Sequence, residues 1–123
     1  MTALLTDMVF PGDANHHGTL FGGVALARMD KAAFIAATRH ARLTFVTASC
    51  ERIDFVNAAR VGEVVEAFAK VVRAGRKSLT VEVVLEAESL LSGERRICAK
   101  GQFNMVATDA PDGHAMPPVK DDA

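Results

Sequence analysis

The stretch Asn15-His16-His17-Gly18-Thr19-Leu20-Phe21-Gly22-Gly23-Val24-Ala25-Leu26-Ala27-Arg28-Met29-Asp30-Lys31-Ala32-Ala33-Phe34-Ile35-Ala36-Ala37 begins as a polar loop and becomes a helix almost empty of charge. At about 100° per residue, the near neighbours of Asp30 on that helix are Gly23, Leu26, Ala27, Ala33, Phe34 and Ala37, while Arg28 and Arg39 point nearly the opposite way. Asp30 is therefore a lone carboxylate on an apolar face of small residues. Burying an unpaired charge is costly, so such a residue needs a reason. It is either a structural Asp bonded to a neighbouring loop or partner helix, or a catalytic carboxylate whose basicity its apolar surroundings set.

The residues upstream favour chemistry. Gly22 and Gly23 open the helix and leave its first backbone amides uncovered by side chains, where they can polarise a carbonyl or hold an oxyanion. Asn15 adds an uncharged amide able to orient a water. His16-His17 beside Asp13 raises the question of a metal. Adjacent loop histidines rarely ligate one ion together and no further ligand lies at useful spacing, so no metal is predicted. His40 ends the helix, where an imidazolium would meet the negative end of the macrodipole.

Beyond the helix the pattern changes to period two. Ser78–Glu88 alternates, with Leu79, Val81, Val83, Leu85 and Ala87 on one side and Thr80, Glu82, Glu86 and Glu88 on the other. Arg96–Val106 repeats this, placing Ile97, Ala99, Phe103 and Met105 inward and Lys100, Gln102 and Asn104 outward. Gly75-Arg76-Lys77 and Ser92-Gly93 are turn-like breaks that make hairpins. Phe45–Phe55 and Val64–Arg73 are two further strands, and a short one around Thr6–Phe10 precedes the helix, ended by Pro11-Gly12. A helix apolar all round must be covered on all sides. The expectation is an α+β fold, an antiparallel sheet of about five strands wrapped around one long central helix. Residues 1–108 form a single domain on this reading, and 109–123, rich in Pro and Asp, a flexible tail without chemistry.

Composition bounds the function. A chain of 123 residues, half of them hydrophobic, holds one core. Its net charge of −1 argues against a nucleic-acid partner, which would need a clustered basic face. No uncharged apolar run is long enough for a membrane span. With no basic leader and only two cysteines, the protein is expected in the cytoplasm. Cys50 reads as a small core or sheet residue, since it neither begins a helix nor sits in a Gly-rich elbow that would stabilise a thiolate.

Several pieces occur together in one order: Asp13-Ala14-Asn15-His16-His17-Gly18, Phe21-Gly22-Gly23, Met29-Asp30, Arg39-His40, Val46-Thr47-Ala48-Ser49, Ile53-Asp54-Phe55, Val61-Gly62-Glu63 and Gly75-Arg76-Lys77-Ser78. This set, spread over residues 8–107, resembles the hotdog-fold acyl-coenzyme A thioesterases, and most of all the bacterial acyl-CoA hydrolases related to the brain acyl-CoA hydrolase domains. The resemblance implies hydrolysis of an acyl-CoA thioester to a free acid and coenzyme A, with no separate cofactor. Asp30 would be general base or nucleophile, and Asn15 and the amides at Gly22 and Gly23 would hold water and oxyanion. His17, in the matching loop, would approach the substrate. Arg76, Lys77 and Ser78 would meet the phosphates of coenzyme A, against the alternative of an ordinary charged turn, with Arg39 and Arg60 as weaker candidates. A non-catalytic acyl-CoA-binding protein on the same fold is the alternative function. A hotdog dehydratase would need an Asp/His pair that this helix lacks.

Reach adds an oligomeric expectation. Asp30 lies about 12 Å along the helix from the amides at Gly22, too far for both to touch one reacting carbonyl. A twofold homodimer with antiparallel helices would bring Asp30 of one chain to the helix N-terminus of the other, alone or as a trimer of such dimers.

Overall fold

The structure, a computed structural model, describes residues 2–119. The elements in chain order are β1 (Thr2–Met8), a short 3-10 turn (Pro11–Asp13), α1 (Gly22–Ala41), β2 (Phe45–Phe55), β3 (Val64–Ala74), β4 (Ser78–Glu88) and β5 (Arg95–Ala107). The strands form one antiparallel sheet in the order β1-β3-β4-β5-β2, with β1 and β2 at its edges. The expected sequence of one strand, one helix and four strands is found. The first strand lies earlier than Thr6–Phe10. Pairing of Thr2 with Lys70 through Met8 with Val64 sets its length, and Pro11, lacking an N–H, opens the next turn.

Alanine dominates the helix–sheet contact. Ala25, Ala32, Ala33, Ala36 and Ala37 are buried with Met29, so the α1 backbone lies close against the sheet. From below, Leu79, Val81, Val83, Leu85 and Ala87 of β4 and Ala99, Phe103 and Met105 of β5 fill the core, as alternation predicts. Gly101 shares this inner row. A Cβ there would lie 2.2 Å from Ile53 Cδ1 and 3.6 Å from Met29 Cε, so the missing side chain is the space that Ile53 occupies.

Two expectations need correction. Ile97 does not point inward: the β4–β5 register slips between Leu85 and Glu86, so Cys98 and Ala99 are both buried and Ile97 is turned out. One bulge residue reverses the alternation on one side of it. Nor is the helix covered all round. The sheet takes one face, while Gly22, Gly23, Ala27 and Phe34 stay exposed beside β2, itself exposed along almost its whole length. Phe21, Phe34 and Phe55 are each about half exposed on this side (50, 45 and 56%).

Beyond β5 the chain turns back over the C-terminal end of α1. Thr44 N donates to Asp109 Oδ1 at 2.9 Å and His40 Nε2 donates to the Pro117 carbonyl at 2.8 Å. Met116 is buried, and Ala110 and Val119 pack against the core. Residues 109–119 thus contribute packing, and His40 has a carbonyl partner besides the helix terminus. The remaining residues read as tail, 120–123, lie outside the described residues.

Candidate active site

Thr47 Oγ1 donates to Asp30 Oδ1 at 2.5 Å, joining the middle of α1 to β2. Between Thr47 and Ser49 the β2–β5 register slips, leaving Ala48 as an extra residue. The slip turns Ser49 outward, where its hydroxyl accepts from Asn104 Nδ2, and brings Cys50 to the helix side with Thr47. Strict alternation would have put only one of Thr47 and Cys50 there; the bulge re-aims the strand beside the carboxylate. Asp30, Thr47, Cys50, Gly23, Leu26, Ala27 and Phe103 line one open cavity of about 250 Å³.

Thr47 is the only described residue that bonds the Asp30 carboxylate, and no cation among the described residues pairs with it. Arg28, on the opposite side of the helix, pairs with Asp7 at 2.7 Å. Burial and the Asp30 carboxylate push the Cys50 thiol up. The thiol therefore stays protonated, which removes it as a nucleophile competing with Asp30.

The second cluster is the start of α1. Phe21 occupies the N-cap position without a side-chain cap, and no acidic residue stands in the first turn, so the amides at Gly22 and Gly23 remain open. Gly22 faces Phe55: a Cβ there would sit 3.6 Å from its ring. Upstream, Asn15 Oδ1 accepts from His17 N (3.0 Å), Thr19 N (3.2 Å) and Thr19 Oγ1 (3.1 Å), while Asn15 N donates to Thr19 O (2.8 Å). The carbonyl end of Asn15 is thereby committed to its own loop. Its Nδ2 has no acceptor among the described residues and is the group left to donate outward. His17 is exposed, its ring 3.9 Å from that of His16, and no described group of three or more acidic, His or Cys side chains could hold a metal ion.

The structure brings Gly23 and Asp30 to one cavity and leaves Asn15, His17 and Gly22 outside it. Arg76 and Lys77 lie elsewhere, on an exposed β3–β4 turn that with Gly75 and Gly113–Met116 borders a groove of about 430 Å³. Lys77 Nζ is 4.0 Å from Asp112, and Ser78 closes the turn through its carbonyl, which accepts from Gly75 N at 2.8 Å. The row Ser78–Val106–Val46 puts this turn at the Thr47 end of the sheet, two strand spacings away, or roughly 10 Å. Sequence reasoning gave Thr47 no role. The available signal was a hydroxyl at an inward position of β2, two residues after the buried Phe45.

One long helix laid on a five-stranded antiparallel sheet is the hotdog fold. The chain belongs to the thioesterase superfamily, whose family model matches residues 17–93. It is 38% identical over 105 residues to a protein of Bacillus subtilis (strain 168) named as an uncharacterized acyl-CoA thioester hydrolase, covering 85% of this chain and 61% of that protein. The chain thus spans about three-fifths of that relative's length. It superposes on an apo-hexameric acyl-CoA thioesterase with a TM-score of 0.92 at 37% identity, over 99% of this chain and 79% of that one. An acyl-CoA hydrolase of Staphylococcus aureus matches at 31–32% identity with TM-scores of 0.87–0.88, over 98% of this chain and 74–76% of that one, in variants where one asparagine, one aspartate and one threonine were each replaced by alanine. Those three positions stand fifteen and seventeen residues apart, the same intervals that separate Asn15, Asp30 and Thr47.

Proposed function

We propose that this protein hydrolyses acyl-CoA thioesters to free acid and coenzyme A, as a homodimer whose two active sites each draw on both chains. The observation that carries the proposal is the Asp30–Thr47 pair: a carboxylate without a counter-ion among the described residues, oriented by one hydroxyl, in a cavity otherwise lined by apolar and small residues and a protonated thiol. The shared spacing with the Asn, Asp and Thr altered in the Staphylococcus aureus hydrolase supports the same trio.

In the reaction, the thioester carbonyl rests against the amides at Gly22 and Gly23 of one chain, with Asn15 Nδ2 as a further donor. A water held by Asp30 of the partner chain gives up a proton to the free carboxylate oxygen as its oxygen adds to the carbonyl carbon. The oxyanion then collapses, the C–S bond breaks, and the departing thiolate takes the proton from Asp30. Direct attack by Asp30, forming an anhydride that water opens, uses the same groups. Neither route needs a metal or a cofactor.

The open apolar face of α1 and the unpaired edge of β2 are what a second copy would cover. The hexameric relative makes a trimer of such dimers a natural larger assembly. In this reading Arg76 and Lys77, with Ser78 bracing their exposed turn, meet the phosphates of coenzyme A, and His17, whose amide donates to Asn15, meets the substrate. Among the described residues no helix is long and apolar enough to cross a membrane. Two unpaired cysteines fit a reducing, cytoplasmic setting.

Thiol release from a panel of acyl-CoAs tests the proposal. Wild-type protein should turn over at least one of them, and Asp30→Asn should lose about 10²–10⁴-fold in kcat while still binding coenzyme A. Tight coenzyme A binding without thiol release would make the protein a carrier or sensor instead. Near wild-type turnover by a folded Asp30→Asn would remove Asp30 from the chemistry.

A further inference from the structure

Immediately before β3, the buried Glu63 carboxylate receives four hydrogen bonds. Arg96 Nη2 (2.5 Å) and Arg60 N (2.7 Å) donate to Oε1, and Arg96 Nη1 (2.9 Å) and Ser89 Oγ (2.7 Å) donate to Oε2. Arg96 also donates from Nε and Nη2 to the Ala58 carbonyl at 3.1 and 2.6 Å. The pair therefore grips the β2–β3 loop at two points, Ala58 and Arg60, on either side of Ala59.

What hangs from that gripped segment is the Asn15 loop. Leu20 N donates to Ala59 O at 2.8 Å, Val61 N donates to Gly18 O at 3.1 Å, and Thr19 bridges Arg60. Thr19 in turn makes three of the five bonds that fix Asn15, and Leu20 is followed by Phe21 and the open amides of Gly22 and Gly23. Asp30 and Thr47 are fixed through β2 and its bulge, with no bond to this network among the described residues.

We infer that Glu63 and Arg96 are positioning residues for one half of the active site, holding Asn15 and the α1 N-terminus against the sheet while leaving the Asp30–Thr47 half alone. A bidentate Arg–carboxylate pair fixes orientation as well as distance, which a single hydrogen bond does not. Positional demands at a reacting carbonyl are tight, and a shift of about 1 Å can cost on the order of 10²-fold in rate. The role in turnover rests on the hydrolytic reading above; the mechanical role does not.

Two measurements on the full-length protein test it. In kinetics, Glu63→Gln should lower kcat roughly tenfold with little change in KM, an intermediate displacement on the scale just given. On an Asn15→Ala background the same change should cost less than about twofold, and on a Thr47→Val background it should keep its full effect, because coupled residues are non-additive and independent ones add. Equal losses on both backgrounds would overturn the inference, since a general loosening of the fold acts on both halves alike. In hydrogen exchange, Glu63→Gln should speed exchange at the amides of Asn15, Gly18, Thr19 and Leu20 without speeding β2 around Thr47. Unchanged exchange in the loop would overturn it too, whether or not the protein proves to be a hydrolase. Should Glu63→Gln fail to fold, Ser89→Ala, which removes one of the four bonds, should give the same pattern in weaker form.

Discussion

Replacing Thr47 with Val removes one hydrogen bond and almost no volume, and the structure allows its effect to be sized. The Thr47 hydroxyl meets the Asp30 carboxylate at 2.5 Å, a charge-assisted bond that Val cannot make, while a branched side chain of the same shape still packs beside Met105 Sδ, 3.5 Å from the present oxygen. Two effects oppose each other. A carboxylate relieved of a donor is less stabilised, hence a stronger base, and hydrogen bonds to charged groups are worth about 1.5–3 kcal/mol. Only a fraction of that reaches the transition state, so the gain is roughly threefold to tenfold. Against it, Asp30 loses its only described partner and the orientation that partner imposes, at a cost of up to about 10²-fold. Orientation wins, and kcat should fall roughly tenfold to thirtyfold with KM little changed. Thr47→Ser keeps the hydroxyl and should retain most of the activity. Continuous thiol-release assays on wild type, Thr47→Val and Thr47→Ser, each checked by a thermal melt, decide it. A Thr47→Val enzyme at wild-type rate, or a Ser variant as impaired as the Val one, would refute the role given to the hydroxyl.

Removing the charges of Arg76 and Lys77 together should raise KM for acyl-CoA more than it lowers kcat, and the penalty should vanish with a pantetheine thioester lacking the nucleotide; equal losses on both substrates would take the turn out of phosphate binding. Glu63 carries a pH signature. Its hydrogen bond with Arg96 above all, aided by Ser89 and the Arg60 amide, lowers its pKa to about 2 from the ordinary 4.5. A carboxylate so depressed adds stability that is fully present above the unfolded value and is lost as pH falls through the folded one. Between pH 4.5 and 2 wild type should lose on the order of 3 kcal/mol more than Glu63→Gln, measured as converging denaturant midpoints; parallel curves would mean the pair adds nothing on folding.

Periodicity in the sequence carries most of the fold. The alternation in Ser78–Glu88 and the run Phe45–Phe55 coincide with β4 and β2, and the helix with its Gly-Gly opening is where the charge-free stretch put it. One miss lies where backbone register, not side-chain pattern, decides. The slip at Glu86 sends Ile97 outward, and a bulge leaves no mark in a hydrophobic pattern. Asp30 was legible because a lone charge on an alanine face violates the pattern around it. Thr47 was not, because a Thr in a strand violates nothing. The covering of α1 was misjudged for a different reason. Its apolar surface does predict burial, but the pattern cannot say whether the cover comes from the same chain or from another.

Whether one site needs two chains is the central claim, and mixed oligomers test it most directly. Asn15→Ala chains and Asp30→Ala chains, each nearly inactive alone, are co-expressed at equal levels. If Asn15 of one chain serves Asp30 of its partner, each mixed dimer holds one doubly damaged site and one intact site, and random pairing should restore roughly a quarter of wild-type thiol release. No recovery, with mixed dimers demonstrated by mass, would place both residues in the same chain's site and contradict the shared-site account.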